Sequence, residues 1–344
     1  MRVRLLVIAV FVSAFAVPGL IAYSTGILPS AGRDPGADPM SAGPEFRVTS
    51  LSWPEKALGL ASTPQRVVWE QRSDDRAASG LWAYEMETRL PFRLLGPRDV
   101  GRSNGFPSTD GATVAWAAVP RGADDGSLEV RAFDSDTRRR FTVAAHGAAP
   151  RGAGNTIVWI DTGGERRAPR TTVAGRNTVT EERFFITADA EVREVAAWGR
   201  WVAWTTGPRD ASHVWVTDRR RQARYQLSAT GTAVAVDQHR VVWAARVGKG
   251  QSAILVWNQR TRRSKELCRV PAAVRSLHLE GDLVVWAQDS GGGDIWAYDF
   301  KRRRAFPVCS DAAEQASPVL VGRIVFWADR RSGRWELYGR ALQP

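Results

Sequence analysis

Histidine, methionine and cysteine are nearly missing from this chain: four, three and two of them in 344 residues. Two cysteines, Cys268 and Cys309, do not make a disulfide scaffold. The four histidines, His146, His213, His239 and His278, are scattered with no metal-ligand spacing, so no metal and no cofactor is expected. Helical periodicity is missing too, since nothing after residue 44 repeats its apolar residues at i, i+3 and i+4. No Gly-x-Ser-x-Gly elbow is expected, so a peptidase or esterase needing that nucleophile turn is not supported. No cysteine lies near the apolar amino-terminal run, which excludes a lipoprotein anchor there. What the chain has in excess is positive charge, a formal net +12, and tryptophan, fifteen of them.

Residues 1–23, MRVRLLVIAVFVSAFAVPGLIAY, carry Arg2 and Arg4 and then an uncharged apolar stretch from Leu5 to Tyr23. That length is close to the ~20 residues a helix needs to span a bilayer. Ala14-Phe15-Ala16 also fits the small-x-small cleavage pattern of a secretory signal peptide. Both readings export the rest of the chain, and they differ only in whether it stays tethered. Residues 24–44 are rich in Gly, Pro, Ala and Ser without apolar period, the composition of a flexible linker. Folding is expected to begin near Glu45.

The tryptophans are periodic. Two small or β-branched apolar residues followed by Trp recur at Trp69, Trp116, Trp159, Trp204, Trp243, Trp286 and Trp327, with spacings of 47, 43, 45, 39, 43 and 41. Ten to fifteen residues after most anchors comes an alternating run: LWAYE, VRAFD, VWVTD, ILVWN, IWAYD, LYGRA. A basic turn and another short strand follow, then a strand leading to the next anchor. Four short strands per period of 40 to 50 residues are the cue for a β-propeller, here an all-β ring of seven four-stranded antiparallel blades. Blades pack on both faces, so the anchor strands are continuously apolar, and the indoles fill the wedges between radiating sheets. The seventh copy ends without a fourth strand. EFRVTSL, Glu45 to Leu51, resembles the fourth strands RRFTVA and RAFPVC, and Phe46 to Leu51 is expected to complete the last blade and remove an open sheet edge.

The stretches ASPVLVGRIVFWADRRSGRWELYG, Ala316 to Gly339, and GDLVVWAQDSGGGDIWAYDF resemble the repeats of the TolB-like β-propeller group. EQASP, Glu314 to Pro318, resembles the lead-in of its exported members. The resemblance covers nearly all of Glu45 to Gln343. No copy carries the Ser-Pro-Asp-Gly turn of TolB itself, so the resemblance implies the fold and leaves that protein's partner binding aside.

Two sets of residues are candidates for binding. The basic turns join third and fourth strands and therefore share one face. Arg138, Arg139, Arg140, Arg219, Arg220, Arg221, Arg262, Arg263, Lys301, Arg302, Arg303 and Arg304 would form a broken positive rim. Such a rim attracts an anionic membrane surface or polymer. Solvated hairpin turns that discourage edge pairing are the structural alternative. On the opposite face, Gln71, Asp161, Gln288 and Asp329 follow their anchors by two residues at the channel mouth. Trp335, beside the DRRSGR loop, is the tryptophan expected to be exposed. TDG, Thr109 to Gly111, reads as a turn and not as a sialidase Asp-box.

The expectation is an exported, membrane-tethered, monomeric disc. It would act as a non-catalytic scaffold for a protein or an anionic envelope component, away from nucleic acid. The competing class is an extracellular hydrolase or lyase acting on glycan or peptide, with carboxylates gathered in the central funnel.

Overall fold

The computed structural model describes residues 42–50, 59–71, 79–103, 106–123, 127–163, 172–208, 212–290 and 292–343. The leader at 1–23, and the linker except for its last three residues, lie outside them. Among the described residues no helix is long and apolar enough to cross a membrane.

Seven antiparallel sheets form the ring. Blade 1 comprises Leu60–Ser62, Arg66–Gln71, Gly80–Glu85 and Leu90–Leu95, numbered from the axis outward. Blade 3 comprises Ala148–Ala153, Thr156–Asp161, Thr172–Asn177 and Arg183–Thr187, so even the weakest sequence copy is complete. Blade 4 runs Val192–Trp198, Trp201–Thr206, His213–Asp218 and Ala223–Ser228. Blade 5 runs Ala233–Val236, Arg240–Gly248, Gln251–Asn258 and Arg263–Val270. Blade 6 runs Val274–Glu280, Leu283–Gln288, Ile295–Asp299 and Arg304–Cys309. Blade 2 is the irregular one. Its inner strand is split into Arg102–Ser103 and Ser108–Thr109, both paired to the anchor strand Thr113–Val119, outside which lie Glu129–Asp134 and Arg140–Ala144. A single helical turn, Pro97–Val100, precedes it, a departure from the helix-free expectation. That turn is used in packing: the Trp116 indole N–H donates to Val100 O at 3.1 Å.

Blade 7 is closed as expected. Gln315–Val321, Ile324–Asp329 and Glu336–Leu342 are joined by Ala42–Ser50, which pairs antiparallel with Glu336–Leu342 and places Phe46 opposite Gly339. The strand starts four residues before the expected Phe46. Gly339 is required by that closure, since a Cβ there would lie 2.6 Å from the Phe46 ring and 2.9 Å from the Phe326 ring. Phe46 meets Phe326 edge-on, with centroids 6.0 Å apart. Inner strands contact one another successively around the whole circle, blade 7 to blade 1 included.

There is no single core. Buried apolar side chains divide into seven clusters, and each cluster spans one pair of neighbouring blades. Each cluster contains one anchor indole, and all seven anchors are at most 3% exposed. The wedge assignment therefore holds at every interface. Truncating one anchor to alanine removes a fully buried indole, a change that costs on the order of 3–5 kcal/mol.

The basic turns have a common backbone reason. At the end of the third strand in blades 2, 3, 5 and 6 an Asp or Asn accepts main-chain N–H groups two and three residues on, Asp218 of blade 4 accepts the first of these from Arg220, and a residue in left-handed conformation follows. Asp134 accepts from Asp136 and Thr137, each at 2.9 Å. Asn258 accepts from Arg260 and Thr261, and Asp299 from Lys301 and Arg302. The left-handed positions are Arg89, Arg138, Glu181, Gln222, Arg262 and Arg303, one in each of blades 1 to 6. The turns thus present fixed projections.

Candidate functional site

In an antiparallel four-stranded meander the turn joining strands one and two lies on the same face as the turn joining three and four. In blades 4 to 6, together with the first turn of blade 7, this face carries thirteen Arg and Lys against five acidic side chains, Glu280, which accepts the Gly322 N–H, and the four aspartates Asp218, Asp237, Asp282 and Asp299. Every one of those aspartates is already engaged. Asp218 lies 3.5 Å from Arg200, and Asp282 is 3.2 Å from Arg240 and 2.8 Å from Lys301. Asp299 is 3.5 Å from Arg323, and Asp237 is 3.9 Å from Arg240.

Members of the expected rim are not equivalent. Arg219 turns back onto blade 3, with its guanidinium 3.5 Å from the Phe184 centroid and 3.7 Å from Glu182. Burial lowers its pKa from the ordinary arginine value, against the pull of Glu182. It is a strut between blades, held there by stacking and charge. Arg140 pairs with Asp99, Lys301 with Asp282, and Arg302 reaches Asp299 and Gln343 O. Arg262 lies 5.2 Å from the Tyr225 ring. Arg138, Arg139, Arg220, Arg263, Arg303 and Arg304 are exposed. Arg221, 61% exposed, has only a 3.9 Å approach to Asp218.

The residues expected at the opposite mouth are mostly structural. Trp335 is 1% exposed, packed in the cluster between blades 7 and 1, and this corrects its assignment as an exposed platform. Asp329 is fully buried. It accepts the Trp327 indole N–H at 3.0 Å and is gripped by the Arg331 guanidinium at 2.6 Å. Gln288 does the same for Trp286 at 3.2 Å and passes its amide to Ser290. Gln71 is buried at the end of its strand, and Asp161 caps its own turn by accepting the N–H of Gly163. The Arg331 side chain also reaches Glu45 on the closing strand at 2.6 Å and Cys309 Sγ at 3.2 Å, over the ring of Tyr338. Its hydrogen bond to Asp329, helped by Glu45, holds it protonated well above the ordinary range. Both cysteines are free, and burial pushes each thiol up to about 12.

Sequence reasoning missed the axis, where polar side chains bridge inner strands that are not sequence neighbours. Glu194 of blade 4 accepts the Val234 N–H of blade 5 and feels the charge of Arg151 from blade 3. Burial raises its carboxyl to about 7 in spite of that arginine. His278 of blade 6 accepts the Leu320 N–H of blade 7 at Nδ1, 3.2 Å away, and its Nε2 lies 3.3 Å from Ser62 Oγ of blade 1. Burial lowers its pKa to about 4. With Nδ1 accepting from a backbone amide, the ring proton sits on Nε2 and points at Ser62. His278 is therefore in the wrong tautomer to take a proton from that serine. Among the described residues no three His, Cys, Asp or Glu gather as metal ligands.

The run Gly101-Arg102-Ser103-Asn104-Gly105 does have Gly-x-Ser-x-Gly spacing. Here the helical turn precedes Ser103, which ends a two-residue strand paired to Ala118, and no helix occurs in residues 106–123. The order is not the strand–turn–helix of a nucleophile elbow.

No protein-family model and no curated protein sequence matches the chain. Solved structures do. The fold resembles oligogalacturonate lyase in complex with manganese, at 14% identity over 87% of this chain and 93% of that one, with a TM-score of 0.57. The β-propeller domain of the Trilobed protease from Pyrococcus furiosus, described as having an open velcro topology, aligns at 10% identity with a TM-score of 0.60. That match covers 85% of this chain and 97% of that one. TolB from Acinetobacter baumannii aligns at 14% identity, TM-score 0.52, over 74% of this chain and 66% of its own. At these identities the likeness defines a class, the β-propeller, whose seven blades are counted in this chain's own sheets. It shows the fold, and chemistry has to be argued from the site.

Proposed function

We propose that this chain is a non-catalytic binding scaffold of the TolB-like group, held on the outer side of a cell membrane, that docks an anionic envelope component on its basic face. The observation carrying this reading is the sector of blades 4 to 6. Thirteen cations face five carboxylates there, the four aspartates among them are already paired, and the turns are pinned by side-chain-to-backbone hydrogen bonds. A rigid, unbalanced array of guanidinium groups supplies long-range attraction and bidentate contacts without a folding cost on binding. Residues 1–23 supply the tether and 24–41 the spacer in this reading. Its test is sedimentation with vesicles of phosphatidylglycerol and with acidic polymer, at low and high salt. The charge-reversed variant Arg220→Glu/Arg221→Glu is run alongside. Binding that falls with salt and is lost in the variant supports the reading, and binding indifferent to both rejects it. Removal of residues 1–23 releases the protein from the membrane fraction if the tether is real.

The enzyme reading keeps one observation in its favour, the Glu194 carboxyl held near neutrality at the axis. A group titrating near pH 7 is suited to proton transfer. Turnover of a glycan or peptide that disappears in Glu194→Gln would replace the scaffold reading with this one.

A further inference from the structure

Trp198 is 37% exposed, and among the described tryptophans no other is exposed to that extent. It ends the inner strand of blade 4, immediately before the two-residue turn Gly199-Arg200, so it stands at the inner lip of the basic face. The fold does not ask for an indole there. The matching last residues of the other inner strands are Ser62, Thr109, Ala153, Val236, Glu280 and Val321. Blade 3 makes room for the ring with a glycine, because a Cβ on Gly154, at φ +55°, would come to 3.3 Å from the Trp198 indole. The same hairpin supplies cations. Arg200 is 44% exposed, and its carbonyl accepts the Arg219 N–H at 3.0 Å, which joins this turn to the turn bearing the exposed Arg220 and Arg221.

We infer that Trp198, Arg200, Arg220 and Arg221 form a binding site for an acidic polysaccharide. This rests on the anionic-partner reading above and narrows it to one class. A sugar ring offers a flat C–H face to an exposed indole, and its carboxylates meet guanidinium forks in bidentate geometry. An indole at the axis end of the face, with Arg200 on its own hairpin and Arg220 and Arg221 on the next turn outward, matches a narrow polymer that carries apolar faces and charge along its length.

The test is titration of the exported domain with alginate oligomers, neutral dextran oligomers and phosphatidylglycerol vesicles. The parent is compared with Trp198→Ala, Trp198→Phe and Arg220→Ala/Arg221→Ala, each first checked for unchanged melting. The parent binds alginate and not dextran. Trp198→Ala weakens alginate binding about tenfold, Trp198→Phe retains most of it, and the arginine pair weakens it at least as much as the indole. Alginate affinity unchanged in Trp198→Ala overturns the inference. Vesicle binding by the parent without alginate binding also overturns it, while leaving the basic-face reading intact. Loss of both ligands at low salt ends both readings.

Discussion

Replacing Arg331 by alanine tests how the ring is held shut. The guanidinium is shared between the fully buried Asp329 and Glu45 of the closing strand, both at 2.6 Å. Its loss leaves the Asp329 carboxylate with the Trp327 indole, the backbone N–H of residue 331 and the Cys309 thiol at 3.9 Å, and without a counter-charge. Stranding a buried charge costs about 3–5 kcal/mol, and the surviving hydrogen bonds bring that to roughly 2–3 kcal/mol. For a domain of this size the midpoint should fall by roughly 3–5 °C. Glu45→Ala alone removes a partly exposed partner and costs about 1 kcal/mol. The double variant should be less destabilised than the sum, because both single changes cut the same link. Differential scanning calorimetry of the four proteins reads all of this. An Arg331→Ala midpoint within about 1 °C of the parent would refute the reasoning, since a coupling that held the ring closed could not be so cheap.

Other consequences can be measured alongside. Below its usual 6.5 and down to about 4, His278 is protonated in the unfolded chain and neutral in the folded one, so its contribution makes stability rise with pH across that window. Glu194 does the reverse. Between 4.5 and about 7 the folded protein keeps a proton that the unfolded chain has lost, and stability falls as pH rises. Each gap corresponds to at most about 3 kcal/mol, so the two nearly cancel in the parent. Glu194→Gln should therefore unmask a rising profile between pH 4.5 and 6.5, and His278→Gln a falling one; parallel profiles in urea titrations would contradict both. Gly80→Ala forces a side chain onto φ +144° and brings its Cβ to 2.1 Å from Leu95 O. A loss of more than about 2 kcal/mol is expected, and a neutral result by urea titration would mean that the blade 1 backbone is misread.

The architecture was legible because burying an indole in a wedge imposes its spacing on the chain. Trp69 to Trp327 mark all seven interfaces, and the resemblance of Glu45–Leu51 to an outer strand located the closure. The axis was not legible. Glu194 and His278 lie in short inner strands of weak pattern, and their significance depends on Val234, Leu320 and Ser62 arriving from other blades. Gln288 and Asp329 were visible as polar residues two positions past an indole. Their role in satisfying that indole needed the fold, because a strand places i and i+2 on one side and only geometry says which donor is near. Trp335 misled for a related reason: a loop rich in Arg, Ser and Gly suggests exposure, yet this indole enters the interface between blades 7 and 1.

The closing strand, Ala42–Ser50, is synthesised before any blade, and its partner, Glu336–Leu342, is made after the other twenty-odd strands. Until Glu336–Leu342 has been made the first strand lacks its partner, and the last sheet cannot finish. Closure of this ring thus waits on synthesis of nearly three hundred intervening residues, and a chain cut short before Glu336 leaves two raw edges in place of one seam.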